Sequence, residues 1–90
     1  MKRTNTKTTT PKIIGREGTY VGTAHKWATG LRIQVVAILR DGEALYDDRA
    51  IGEIRASDTI EFAPEVIENG KRRWSWVLSD ATLGEIEFDR

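Results

Sequence analysis

The sequence predicts an all-β domain, a small five- to six-stranded barrel over residues 13–90, behind a disordered basic tail over residues 1–12. Three observations carry this. Ile and Val number 14 against five Leu, and ten Thr add further β-branched side chains; such residues pack well on a pleated surface and lose rotamer freedom in helices. From Ile13 onward short apolar runs alternate with glycine, a strand-and-turn texture. Asn69-Gly70 lies between two such runs, and this dipeptide satisfies both positive-φ positions of a type I′ hairpin turn.

The elements follow in order. Met1 to Lys12 holds five Thr and no large apolar residue after Met1, which reads as tail. Gly18 to Ala24 reads as a first strand, His25 to Gly30 as a loop, and Leu31 to Arg40 as the strongest strand. The first half of that strand alternates; from Val35 to Leu39 both faces are apolar, as in a central or corner-crossing strand. Asp41-Gly42 ends it. Residues 43–48 are read as a loop and Ala50 to Ala56 as a strand, although Tyr46, Ala50 and Ile54 also fit one helical face. Thr59 to Ala63 is the next strand, and Pro64 marks a bulge or an edge because it cannot donate to a ladder. Glu65 to Leu78 forms the hairpin around Asn69-Gly70, with Glu68 facing Lys71, and Leu83 to Phe88 closes the domain.

In simple two-residue register Trp74, Trp76 and Leu78 would share a face with Glu61 and Glu65, and Ile60 and Phe62 would point the other way. A bulge near Ala63-Pro64 would flip the alternation beyond it. The expectation is that Ile60, Phe62, Trp74 and Trp76 share one core face.

Several short strands curved by glycines in so small a domain suit a barrel, which removes exposed edges. The Gly18-x-x-Val21-Gly22 opening, the long strand from Leu31, and Trp76-Val77 followed by a turn and a last strand resemble SH3-like barrels. The likeness is to small proteins of this fold carried by phages and plasmids, and more distantly to KOW-type barrels of ribosome-associated factors. It covers Ile13 to Phe88 and implies binding through loops, of protein or nucleic acid, with no catalytic residue to transfer. The acidic body departs from KOW proteins, whose RNA-binding barrels are usually basic.

Chemistry is narrowed by what is missing. Without cysteine there are no disulfides, thiolate zinc sites or cysteine nucleophiles. No apolar run approaches the roughly 18 residues of a membrane span, and no apolar segment follows the charged start, so a cytoplasmic protein is expected. His25 is the only histidine; it has no serine–carboxylate spacing around it and no second imidazole for zinc. Asp47-Asp48 lacks the alternating ligands of a calcium loop, and there is no phosphate-cradling glycine motif. A non-enzymatic chain without cofactor or metal is expected, with a small hydrolase as the distant alternative.

Formal charge is zero overall, but residues 1–12 carry Lys2, Arg3, Lys7 and Lys12 with no acid, and the body carries 10 Lys and Arg against 14 acids. The binding candidates are this tail, the Lys71-Arg72-Arg73 hairpin tip, and Lys26-Trp27 with Arg32. Cations neutralise phosphates and aromatics stack on bases, so RNA or DNA is one partner class. A protein partner is preferred because the body is net acidic.

Overall fold

A computed structural model describes residues 12–89. The tail expectation therefore lies, apart from Lys12, outside the described residues. The chain forms β1 (Glu17–Tyr20), β2 (Arg32–Arg40), β3 (Glu43–Leu45), a short helix α1 (Asp48–Ile51), β4 (Thr59–Glu68), β5 (Lys71–Trp74), β6 (Ser79–Thr82) and β7 (Ile86–Phe88). Two 3-10 turns, Lys26–Ala28 and Leu83–Glu85, precede β2 and β7. All pairings are antiparallel. The domain is all-β, as expected, but it has seven strands rather than five or six.

The strand order is β5-β4-β2-β1-β7, with β3 added to β2 and β6 to β4. The sheet is not closed into a ring of ladders. β6 and β7 are consecutive yet pair with β4 and β1 on opposite sides. The Leu83–Glu85 turn carries the chain between them, where a further ladder would have been needed for closure. None of the described helices is long and apolar enough to cross a membrane.

The core is built by alternation. Ile33, Val35 and Ile38 of β2 and Ile60 and Phe62 of β4 are fully buried, and Tyr20 of β1 stacks on Phe62 with ring centroids 5.4 Å apart. Ile13, Ile51, Ala81 and Ile86 complete the cluster. The bulge is not at Pro64. It lies in β2, where the register shifts between Val35 and Ala37. One extra residue there reverses the alternation, so Val35 and Ile38 both face inward, which accounts for the two-sided apolar run. β4 keeps an unbroken register, with Phe62, Ala63 and Pro64 buried in succession, and Pro64 lies within it, opposite Ile33.

Pro64 is tolerated because of what flanks it. Its carbonyl accepts from the Ser75 N–H (2.8 Å), so its missing N–H points to the same side, where β4 passes from pairing with β6 to pairing with β5. That placement also overturns the shared face expected for the tryptophans. Trp74 lies opposite Glu65, on the other face of β4 from Phe62, and is half-buried. Trp76 follows the end of β5 and is 86% exposed. Alternation stops where the ladder stops.

The expected strand over Ala50 to Ala56 is replaced by α1. The Asp47 carboxylate accepts from the Arg49 N–H (2.9 Å) as an N-cap, and Gly52 ends the helix at φ 62°. The first strand is also shorter than expected, ending at Tyr20 rather than Ala24. Beyond it Gly22 meets the Tyr20–Glu85 pair so closely that a Cβ would stand 2.7 Å from the Tyr20 hydroxyl and collide with the Glu85 carboxylate. Gly22→Ala is expected to destabilise by about 1–3 kcal/mol, the usual cost of overpacking, read as a lower urea midpoint.

Candidate interaction surface

The hairpin tip forms as its chemistry dictates. Asn69 and Gly70 have φ of 54° and 75°, and Glu68 pairs in register with Lys71. The ion pair, however, runs diagonally: Arg73 donates to both Glu68 carboxylate oxygens at 2.8 and 2.9 Å, and to the Trp74 carbonyl at 3.0 Å. Hydrogen bonds from Arg73 hold the Glu68 carboxyl below its ordinary range. Arg73 is thus committed, with its guanidinium carbon 6.0 Å from the centroid of Trp76. Lys71 and Arg72 are exposed and have no ion-pair partner among the described residues.

After β5 the chain leaves the sheet for four residues. Ser75 bonds back to Pro64, and its hydroxyl accepts from the Val77 N–H at 3.0 Å. This turn pushes three apolar side chains outward in sequence: Trp76, Val77 (72% exposed) and Leu78. Ile67, cross-strand from Arg72, is exposed as well. Trp76→Ala is expected to move stability by less than about 0.5 kcal/mol, as for a surface position, with the urea midpoint as readout.

The other candidates are placed elsewhere. Lys26 and Trp27 sit on the first 3-10 turn, with Trp27 58% exposed and its ring 6.1 Å from that of His25. His25 Nε2 lies 2.9 Å from the Asp80 carbonyl and 3.3 Å from its carboxylate, so this nitrogen carries the proton it donates. Arg32 is not a free cation. It donates to Asp89 at 2.8 and 2.5 Å and to Glu17 at 3.2 Å, tying β2 to the ends of β1 and β7. Those bonds lower the Asp89 carboxyl, and they raise the Arg32 guanidinium well above its usual range. Lys12 is exposed and lines a groove with Ile13, Arg16, Ile54, Leu83 and Phe88. Lys2, Arg3 and Lys7 lie outside the described residues.

The two basic–aromatic clusters are not brought together. Asp80, which His25 touches, pairs with Glu61, whereas the hairpin tip begins at Glu68. Seven residues of strand put about 23 Å between them at the usual rise.

A polar knot that sequence reading missed joins the loop after β1 to the second 3-10 turn. The Tyr20 hydroxyl donates to Glu85 (3.0 Å) and accepts from the His25 N–H (3.1 Å), and Glu85 accepts from the Thr82 N–H (2.9 Å) in a capping box. The Thr82 N–H lowers the Glu85 carboxyl more than any other group, with Tyr20 adding to it; burial of the ring raises the Tyr20 phenol. The sequence signal is the Thr82-x-x-Glu85 spacing of a capping box, whose Glu85 falls inside the strand expected over Leu83 to Phe88. Every member has a partner, so the knot fixes loop geometry. Among the described residues, no group of three or more His, Asp or Glu side chains is arranged to hold a metal ion.

Compared with known proteins, the chain matches no protein family, no curated protein and no solved structure.

Proposed function

We propose that the chain is a non-enzymatic interaction module of SH3-like barrel type, and that it binds a protein partner through the outward apolar turn of Trp76, Val77 and Leu78 that follows β5. The placing of β1 between β2 and β7, with a 3-10 turn before the last strand, supports the barrel assignment. The observation that carries the function is the outward Trp76-Val77 step just past the end of the strand that carries Lys71 and Arg72. Single exposed apolar residues are ordinary, but a contiguous group beside polar neighbours marks interaction sites, and Trp and Arg are the side chains that dominate binding energy. Exposed aliphatics at Val77 and Leu78 favour a protein over a nucleic acid, because base stacking has no use for them.

Nucleic acid is the second reading, favoured by one observation: Trp76, expected in the core, stands exposed past the end of the strand that carries Lys71 and Arg72, two cations with no ion pair among the described residues. Lys71 and Arg72 neutralising two phosphates of a single strand would give a log–log salt slope of roughly −1.4, and each cation added from Lys2, Arg3, Lys7 or Lys12 would steepen it.

The test immobilises the full-length protein and its Trp76→Ser/Val77→Ser variant on separate supports. Each is exposed to a lysate of the source organism with and without nuclease. A protein retained by the wild type, lost with the variant and indifferent to nuclease supports the proposal. Nuclease-sensitive retention supports the second reading. Identical retention by wild type and variant overturns this surface as the site.

A further inference from the structure

We infer that the partner is an extended acidic peptide segment that adds to the free edge of β5 as a new strand. This rests on the protein-partner reading above and specifies how the partner is held.

In an antiparallel pair, directly opposed residues alternate between those that exchange backbone bonds and those that turn their N–H and C=O away. The Ser75 N–H donates to the Pro64 carbonyl, so that pair faces inward. Counting back along the register, Arg73 with Val66 and Lys71 with Glu68 are the bonded pairs, and Trp74 with Glu65 and Arg72 with Ile67 are the others. The backbone groups of Arg72 and Trp74 therefore point away from β4, and β5 is the last strand on that side of the sheet. The Trp74 carbonyl is taken by Arg73 Nη1. The Arg72 N–H and C=O and the Trp74 N–H are left, with no partner among the described residues.

Such an edge is a template for strand addition, in which backbone bonds give affinity and alternate side chains give specificity. A four-residue basic edge is also how proteins discourage pairing with copies of themselves, and like charge would repel a second β5. The same charge selects an acidic strand. Lys71 and Arg72 project to opposite faces of β5 because successive side chains alternate. A strand laid against them answers both only with two consecutive acids, one facing each way. Arg73 needs no third acid, since Glu68 neutralises it. β-Branched residues flanking the acidic pair would meet Trp74 on one side and extend toward the exposed Trp76-Val77 group.

The probe is the peptide acetyl-Val-Thr-Glu-Glu-Val-Thr-amide, titrated into isotopically labelled full-length protein up to about 1 mM, the weak end of measurable affinity. Saturable shifts are expected for the Arg72 and Trp74 amides, together with slowed hydrogen exchange at both. The Lys-Lys counterpart of the peptide should not bind. Arg72→Ala, which removes the cationic side chain and keeps the backbone N–H, should weaken binding about twofold to fivefold. Arg72→Pro also removes the outward N–H, at a position where an edge strand tolerates proline, and should weaken it tenfold or more. A Glu-Glu peptide N-methylated at alternate residues tests the same point with the protein unaltered, and should not bind.

Equal binding by the Ala and Pro variants, or by the N-methylated peptide, would overturn strand addition. So would shifts centred on the Trp76 and Val77 amides without Arg72, or no binding of the Glu-Glu peptide to the wild type. In any of these cases, nuclease-indifferent retention that depends on Trp76 and Val77 would still uphold the protein-partner reading, and loss of that retention would remove it.

Discussion

Phe62→Ala is expected to cost about 3–5 kcal/mol, the range for emptying a buried aromatic site. A chain of this length has roughly 5 to 13 kcal/mol of folding free energy in all, so the variant should sit close to its unfolding threshold at room temperature. Phe62 is fully buried in the ladder between the two longest strands, opposite Val35, with Tyr20 stacked on its ring. Little can collapse into the space, because Tyr20 is tethered by its hydroxyl to Glu85 and to the His25 N–H. A drop in thermal midpoint of at least about 12 °C is the corresponding readout. A drop of only a few degrees would mean that the β2–β4 ladder is not the centre of the core.

Set beside the small effect expected for Trp76→Ala, this prediction shows where sequence reasoning reached and where it stopped. Ile60 and Phe62 were legible as core because their spacing matches a strand period. Asn69-Gly70 was legible because only one turn type suits two positive-φ residues in so short a link. The same logic applied to Asp41-Gly42, whose φ values of 52° and 81° make a second tight turn into β3; there the signal was present and was read only as a strand end. Asp47, just ahead of the helical face of Ala50 and Ile54, is likewise a helix-start signal, since its carboxylate caps α1. Trp76 failed for a different reason. Its even spacing from Trp74 holds only while a ladder continues, and the ladder ends where β4 changes partners at Pro64. That exchange is a property of the sheet and leaves no mark within the hairpin.

The candidate site divides along the same line. Lys71 and Arg72 are where a hairpin tip should put them, exposed and without ion pairs among the described residues. Arg32 and Arg73 look equivalent in the sequence yet are tied up by Asp89 and Glu68. The Arg73 pair could have been found from cross-strand geometry, since residues diagonal across a hairpin lie within reach of long side chains. The Arg32–Asp89 pair spans 57 positions and depends on β1 lying between β2 and β7, so no local pattern announces it.

The second large effect concerns the only charged side chain that is buried among the described residues. Asp58 is 2% exposed, and its carboxylate accepts from Arg40 Nε and Nη2 at 2.8 and 2.7 Å and from the Arg55 N–H at 2.8 Å. Arg40 also donates to the Ile51 and Glu53 carbonyls, both at 3.1 Å, so this pair pins the long connection between β3 and β4. Asp58→Asn keeps the shape, removes the charge and turns an amide N–H₂ toward guanidinium donors. The expected loss is about 3 kcal/mol, the low end for stripping one partner from a buried ion pair, because the two carbonyls still hold the guanidinium. The pH dependence has a definite sign. The Arg40 hydrogen bonds depress the Asp58 carboxyl most, burial opposes them, and the Arg55 N–H adds to the depression. A carboxyl with a depressed folded-state pKa contributes stability that is complete above its unfolded value, near 4, and is lost as pH falls through the folded one. Glu68, Glu85 and Asp89 are lowered as well, and act in the same direction. The wild type should therefore lose stability steeply below about pH 4, and Asp58→Asn, which has one such carboxyl fewer, should lose less. Urea midpoints measured from pH 7 down to pH 2 should show the gap between the two proteins narrowing as acid is added. A gap that stays constant over that range would mean that the charge of Asp58 contributes nothing, and that its hydrogen-bonding shape alone holds the β3–β4 connection.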